Sequence, residues 1–222
     1  MKRIFFTVSI VALAGLAANA QESAGSTNSD PAFIRIMESA IQKLDTASSS
    51  TTLLQLGNDF ERIGNAAKSA WQPFYYAAFC YTALALNTND KSGVDAIAEK
   101  AAAFLIKAEA LHPGNSEVST VQAMLANARL LVDPPARYQE LSVVAAAWLK
   151  KAHEQNPANP RPYLVEARTK LKTPAMLGGG AEAALPVLEE AVKKFKQFQP
   201  SGSIDPNWGS ADAQKLLEQL KK

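Results

Sequence analysis

Residues 145–152 read Ala-Ala-Ala-Trp-Leu-Lys-Lys-Ala, and the fold turns on three of them, Ala145, Leu149 and Ala152. Steps of four and three set these on one face of a helix as a small–large–small strip. A second helix can approach closely at the alanines while the leucine fills the groove between. The strip returns at Ala101–Leu105–Ala108 and at Ala184–Leu188–Ala191. A period of roughly forty residues is the mark of stacked helical hairpins, each burying the flank of the next. The fold class that follows is all-α: a superhelix or solenoid of elongated helical hairpins with helical caps.

Breakers and caps divide the rest of the chain. Asp30–Pro31 opens a first helix to about residue 47, and Leu53, Leu56, Phe60, Ile63 and Ala67 mark the apolar face of a second, near 52–70. Pro73 opens a third, to about 86. Further helices are expected near 94–111, 118–131, 137–155, 162–172 and 181–198, with a short last one after Trp208. No run alternates with a period of two, so strands are not expected. Landmarks recur with the strip: Pro113 lies five residues after Ala108 and Pro157 five after Ala152. Ala123 and Ala167 then follow those prolines by ten each.

These landmarks resemble the tetratricopeptide repeat family. Tyr163 and Ala167 stand at the first-helix aromatic and small positions, and Phe74 and Ala78 look like an earlier pair, with Tyr81 at the later aromatic position. The triplets supply the second-helix positions, and Pro113 and Pro157 the closing proline. The chain departs from the pattern at Ser119, where an aromatic is expected, and at Lys196, where a proline is. It also carries extra residues at 87–90, 133–135 and 174–180. The stretches 71–81, 173–180 and 207–209 are similar to a group of exported repeat proteins from Bacteroidota.

The first twenty residues read as an address. Lys2 and Arg3 precede an apolar run from Ile4 to Leu16, and Ala18–Asn19–Ala20 forms a cleavage site, so residues 1–20 are expected to be a signal peptide. Residues 21–30, rich in Ser, Asn and Gly, read as a flexible leader, and 31–222 as the helical repeat domain. An exported protein, periplasmic or secreted, is expected. Losing Lys2 and Arg3 takes the formal charge of +2 to zero, which gives no general pull toward nucleic acid or anionic membrane. Acidic residues outnumber basic ones up to Asp133, and the balance reverses after it. The single cysteine, Cys80, cannot close an internal disulfide, and its aromatic neighbours suit a buried thiol.

Little points to catalysis, and the chain is read as not an enzyme, with no cofactor and no metal. His112 and His153 sit in last helical turns before Pro113 and Pro157, where a histidine can bond terminal carbonyls and complement the dipole. No His–Glu–x–x–His, Cys–x–x–Cys or Gly–x–Ser–x–Gly pattern accompanies them. The glycines at 178, 179 and 180 precede a helix without the lysine and hydroxyl of a phosphate loop, and read first as a turn.

The family resemblance implies a binding role: an envelope scaffold or adaptor engaging a protein or peptide through first-helix surfaces. Tyr76, Arg161, Tyr163 and Arg168 are the expected contacts. The alternative is a small-ligand protein whose pocket brings Gly178, Gly179 and Gly180 together with Trp208. Trp208 would then close over exposed backbone amides.

Overall fold

The computed structural model describes residues 30–47 and 49–222, and the expected signal peptide and nearly all of the leader lie outside that span. Among the described residues the regular structure is helical, with no strand: α1 (Pro31–Asp45), α2 (Ser50–Ala67), α3 (Gln72–Asn87), α4 (Val94–Leu111), α5 (Ser116–Leu130), α6 (Pro134–Gln155), α7 (Pro160–Lys172), α8 (Ala181–Phe195) and α9 (Ser210–Leu220). A short 3₁₀ turn, Ala175–Leu177, joins α7 to α8. No described helix is long and apolar enough to cross a membrane.

Five of the nine described helices, α1, α2, α5, α6 and α7, begin where a side chain satisfies a free amide. Asp30 accepts from the Ala32 N–H at 2.8 Å, Asn115 from Glu117 at 2.8 Å, and Asn159 from Arg161 at 3.0 Å. Prolines follow three of the caps, at Pro31, Pro134 and Pro160, where a missing N–H costs nothing. Thus α6 starts at Pro134, and not near 137, because Asp133 caps it directly.

Sequential helices pair as hairpins, α3 with α4, α5 with α6, and α7 with α8, while α2 packs on α3 and α9 on α8. The first helices also meet one another, α3 against α5 and α5 against α7. All nine residues of the three strips are buried. Ser119, at the position where an aromatic was expected, is buried too and donates to Gln155 Oε1 at 2.7 Å, so a hydrogen bond to α6 replaces a ring. The junctions between hairpins differ. α4 packs well against α5, whereas α6 and α7 barely touch.

A strap, residues 198–208, runs between α8 and α9 and lies against the first helices. Ile204 enters the main core. Gln72 on α3 donates to Asp205 Oδ1 at 3.0 Å. The Trp208 ring lies tilted against Phe79, centroids 4.9 Å apart, and its Nε1–H donates to the Tyr75 hydroxyl at 2.8 Å.

Candidate functional site

The weak junction between α6 and α7 leaves a groove of about 680 Å³. That lies within the size range of small-molecule and cofactor sites. From α6 it is lined by Ser142, Ala145, Ala146, Leu149, Lys150, His153 and Glu154, residues that recur at helical spacing along one face. From α7 come Tyr163, Glu166, Thr169 and Lys170, and Pro157 closes the end at the turn. Ala145 and Leu149 therefore do two things: they are buried strip residues, and their flank is the groove floor.

Polar groups cluster at the turn end. His153 Nε2 and Glu166 Oε2 lie 3.2 Å apart, and the imidazole meets the Tyr163 ring edge-on at 4.2 Å. The hydrogen bond from His153 holds the Glu166 carboxyl below its ordinary range; burial opposes this, and the charges of His153 and Lys170 add to it. His153 Nδ1 is buried without a partner. Behind Tyr163, the Lys194 ammonium of α8 lies 4.8 Å from the ring centroid. Lys170 pairs loosely with Glu166 at 3.7 Å and Lys150 with Glu154 at 3.6 Å. Both ammonium groups can turn to an acidic ligand at small cost, since exposed ion pairs are worth little. Past the far end, the 3₁₀ turn holds Met176 and Leu177 exposed, at 90% and 51%. An apolar floor, an aromatic wall and two lysines suit a flat, largely apolar ligand bearing acidic groups. Among the described residues no cluster of three histidine, cysteine or carboxylate side chains could hold a metal ion.

The expected contact residues are divided by the structure. Tyr163 is in the groove. Arg168 is partly exposed but pairs with Asp212 of α9 at 3.1 Å. Tyr76 and Arg161 are corrections, for both are buried and offer no surface to a partner. Tyr76 stacks on Phe60 of α2 at 5.1 Å. Arg161 is covered by the strap: it donates to Glu117 Oε1 at 2.9 Å and to the Pro206 carbonyl, with Phe198 and Trp208 against its guanidinium at 4.6 and 5.5 Å. Burial pushes the Glu117 carboxyl up against the opposing pull of Arg161.

The alternative pocket is corrected as well. Trp208 packs beside the start of α7, while the Gly180 N–H is bonded to the Lys170 carbonyl near its end. Nine residues of helix, about 14 Å, separate the two places. The glycines form a turn: Gly178 and Gly180 have φ of 81° and 89°, and a Cβ on Gly179 would lie 2.1 Å from the Thr173 carbonyl oxygen. His153 sits in the last turn of α6 as expected, but its Nε2 pairs with Glu166 of α7 instead of a terminal carbonyl. His112 does sit at the C-cap of α4, with its ring edge-on to Trp71 at 5.5 Å.

The residues missed in the sequence are Lys150, Glu166 and Lys170. Lys150 shares a face of α6 with His153 and could have been read from their i, i+3 spacing; Glu166 and Lys170 meet His153 only where α7 stands beside α6.

No family model matches the chain. No curated protein matches it either. Among solved structures it is similar to the HusA haemophore from Porphyromonas gingivalis, with 36% identity over 86% of this chain and 94% of that one, at a TM-score of 0.78.

Proposed function

The chain belongs to the family of the HusA haemophore, and on that premise we propose that it binds haem in the groove between α6 and α7. The likeness over nearly the whole of the haemophore chain carries this reading. The groove's chemistry supports it. A porphyrin body is flat and apolar, and every 100 Å² of it covered by Ala146, Tyr163 and the edge of Leu149 contributes about 2.5 kcal/mol. Its two carboxylates match the Lys150 and Lys170 ammonium groups at the rim. Imidazole and phenolate are both ligands that haem iron accepts. Here, however, His153 Nε2 is engaged by Glu166, its Nδ1 is buried, and the Tyr163 hydroxyl is turned to the Pro157 carbonyl at 3.4 Å, so the apolar body and the carboxylates carry the binding.

This reading replaces the scaffold role expected at Tyr76, Arg161, Tyr163 and Arg168, of which Tyr163 alone lines the groove. Small-ligand binding, the alternative expected at Gly178–Gly180 and Trp208, takes its place at a different location. The resemblance of the hairpins to tetratricopeptide repeats stays part of this proposal, as does the export signal at residues 1–20. A binding role without catalysis is part of the same proposal.

Hemin titration followed by absorbance tests it. The native chain is expected to saturate at one hemin per chain. Lys150→Glu with Lys170→Glu should weaken binding at least tenfold, and Ala146→Glu, at an exposed floor position, should weaken it further. A native chain that leaves the hemin spectrum unchanged, or charge reversals without effect, would refute the groove as a haem site.

A further inference from the structure

Two stripes of α7 do different work. Tyr163, Glu166 and Lys170 face the groove, whereas Arg161 and Leu164 face the strap and α9 side. Arg161 and Tyr163 point to opposite sides of the helix because each residue turns it by about 100°. We infer that the strap holds α7 in the position that shapes the groove, making Arg161 and Trp208 positioning residues for a site neither of them lines. The inference rests on reading that groove as the ligand site.

The separation of α6 from α7 must be set elsewhere, since the two helices scarcely meet. A closed ring of contacts sets it. Arg161 of α7 donates to Glu117 of α5 at 2.9 Å. Tyr75 of α3 donates to the other Glu117 oxygen at 3.4 Å. Trp208 of the strap donates to Tyr75 at 2.8 Å and lies over the Arg161 guanidinium, which donates in turn to the strap carbonyl at Pro206. Asn159, the cap of α7, adds bonds to Ser116 Oγ at 3.0 Å and Glu117 Oε1 at 2.9 Å. Ile204 in the core and Asp205 on Gln72 fix the strap's earlier part.

Buried networks of this kind tolerate one geometry, because each unmade bond leaves a costly polar group behind. The start of α7 is thereby fixed to α3 and α5 from the strap side, and Tyr163, two residues after Arg161, is placed with it. Loosening the strap frees α7 to move relative to α6, which widens the groove and speeds release of whatever it holds. Trp208 is the member best suited to test this, being only partly buried and outside the ion pair.

The test compares native chain, Trp208→Ala, Trp208→Phe and Asp205→Ala by two readouts well below their melting temperatures. One is the rate of hemin release to a scavenger. The other is the distance between spin labels on cysteines placed at Val143 and Lys172, with the native Cys80 buried and unlabelled. Trp208→Ala should release hemin at least tenfold faster and broaden the distance distribution. Trp208→Phe, which keeps a ring against Phe79, should recover part of both. Unchanged release and unchanged distances in a folded Trp208→Ala chain would overturn the inference, even if its melting temperature fell. Should Trp208→Ala not fold, Asp205→Ala and Trp208→Phe decide by the same readouts. If native chain takes up no hemin, the haem reading fails, and the label distances alone still decide whether the strap positions α7.

Discussion

Arg161 shows how one side chain can be read correctly as important and wrongly as exposed. A guanidinium next to an aromatic on a first helix looks like a contact for a partner, yet here it has no exposed surface, and its partner is the chain itself. Nothing near position 161 announces this, because the covering residues Phe198, Pro206 and Trp208 lie about forty positions downstream and meet it only in three dimensions. Removing one member of a buried ion pair leaves the other charge unpaired, so Arg161→Met should lower the unfolding free energy by about 3–5 kcal/mol. Arg161→Met with Glu117→Leu should recover much of that loss, and urea denaturation of both variants checks it. Glu166 supplies a pH signature. Its folded carboxyl is held below the ordinary 4.5, chiefly by the hydrogen bond from His153. Its contribution to stability is therefore complete above about pH 4.5 and lost as pH falls through the lowered value. The stability difference between native and Glu166→Gln should accordingly shrink below pH 4.5, as melting curves from pH 3 to pH 7 would show.

Among the elements, helices were the most legible feature. Nine periodic segments, separated by proline, glycine or asparagine except where Ser49 caps α2, correspond to α1–α9, because those breakers act within a turn or two of where they stand. The small–large–small strips were equally legible, since Ala101, Leu105 and Ala108 and their counterparts are all buried. Less legible was what Gly178–Gly179–Gly180 does. Its backbone angles and its place before a helix are shared by anion-binding loops and plain turns; here the Gly178, Gly179 and Gly180 amides are bonded to the Ala175, Pro174 and Lys170 carbonyls, as in a plain turn. Gly179→Ala would drive a methyl group into the Thr173 and Lys170 carbonyl oxygens, at 2.1 and 2.6 Å. It should destabilise the α7–α8 turn by more than about 2 kcal/mol. Gly178→Asn, at a left-handed position with open space around it, should cost far less. Thermal unfolding of the pair distinguishes a tight turn from a loose one.

For the whole molecule, repetition predicts similar junctions between successive hairpins, and the site arises where the junctions differ. α4 closes on α5, but α6 stands off α7. A strip of alanines permits close approach without enforcing it, so the opening could not be read from spacing. It depends on how the first helices and the strap hold α7. A binding role was the expectation from the sequence and is the role proposed here; the groove's place could not be read, because it is made from the flank of a packing strip and two lysines on different helices.

The most direct test maps where hemin lies, by following backbone amide NMR shifts as it is added. The groove reading predicts that the largest shifts fall in 142–157 and 163–170, with little change in α1 and α2. Shifts centred on Gln72, Tyr76 and residues 203–207 instead, or none at one equivalent of hemin, would contradict it.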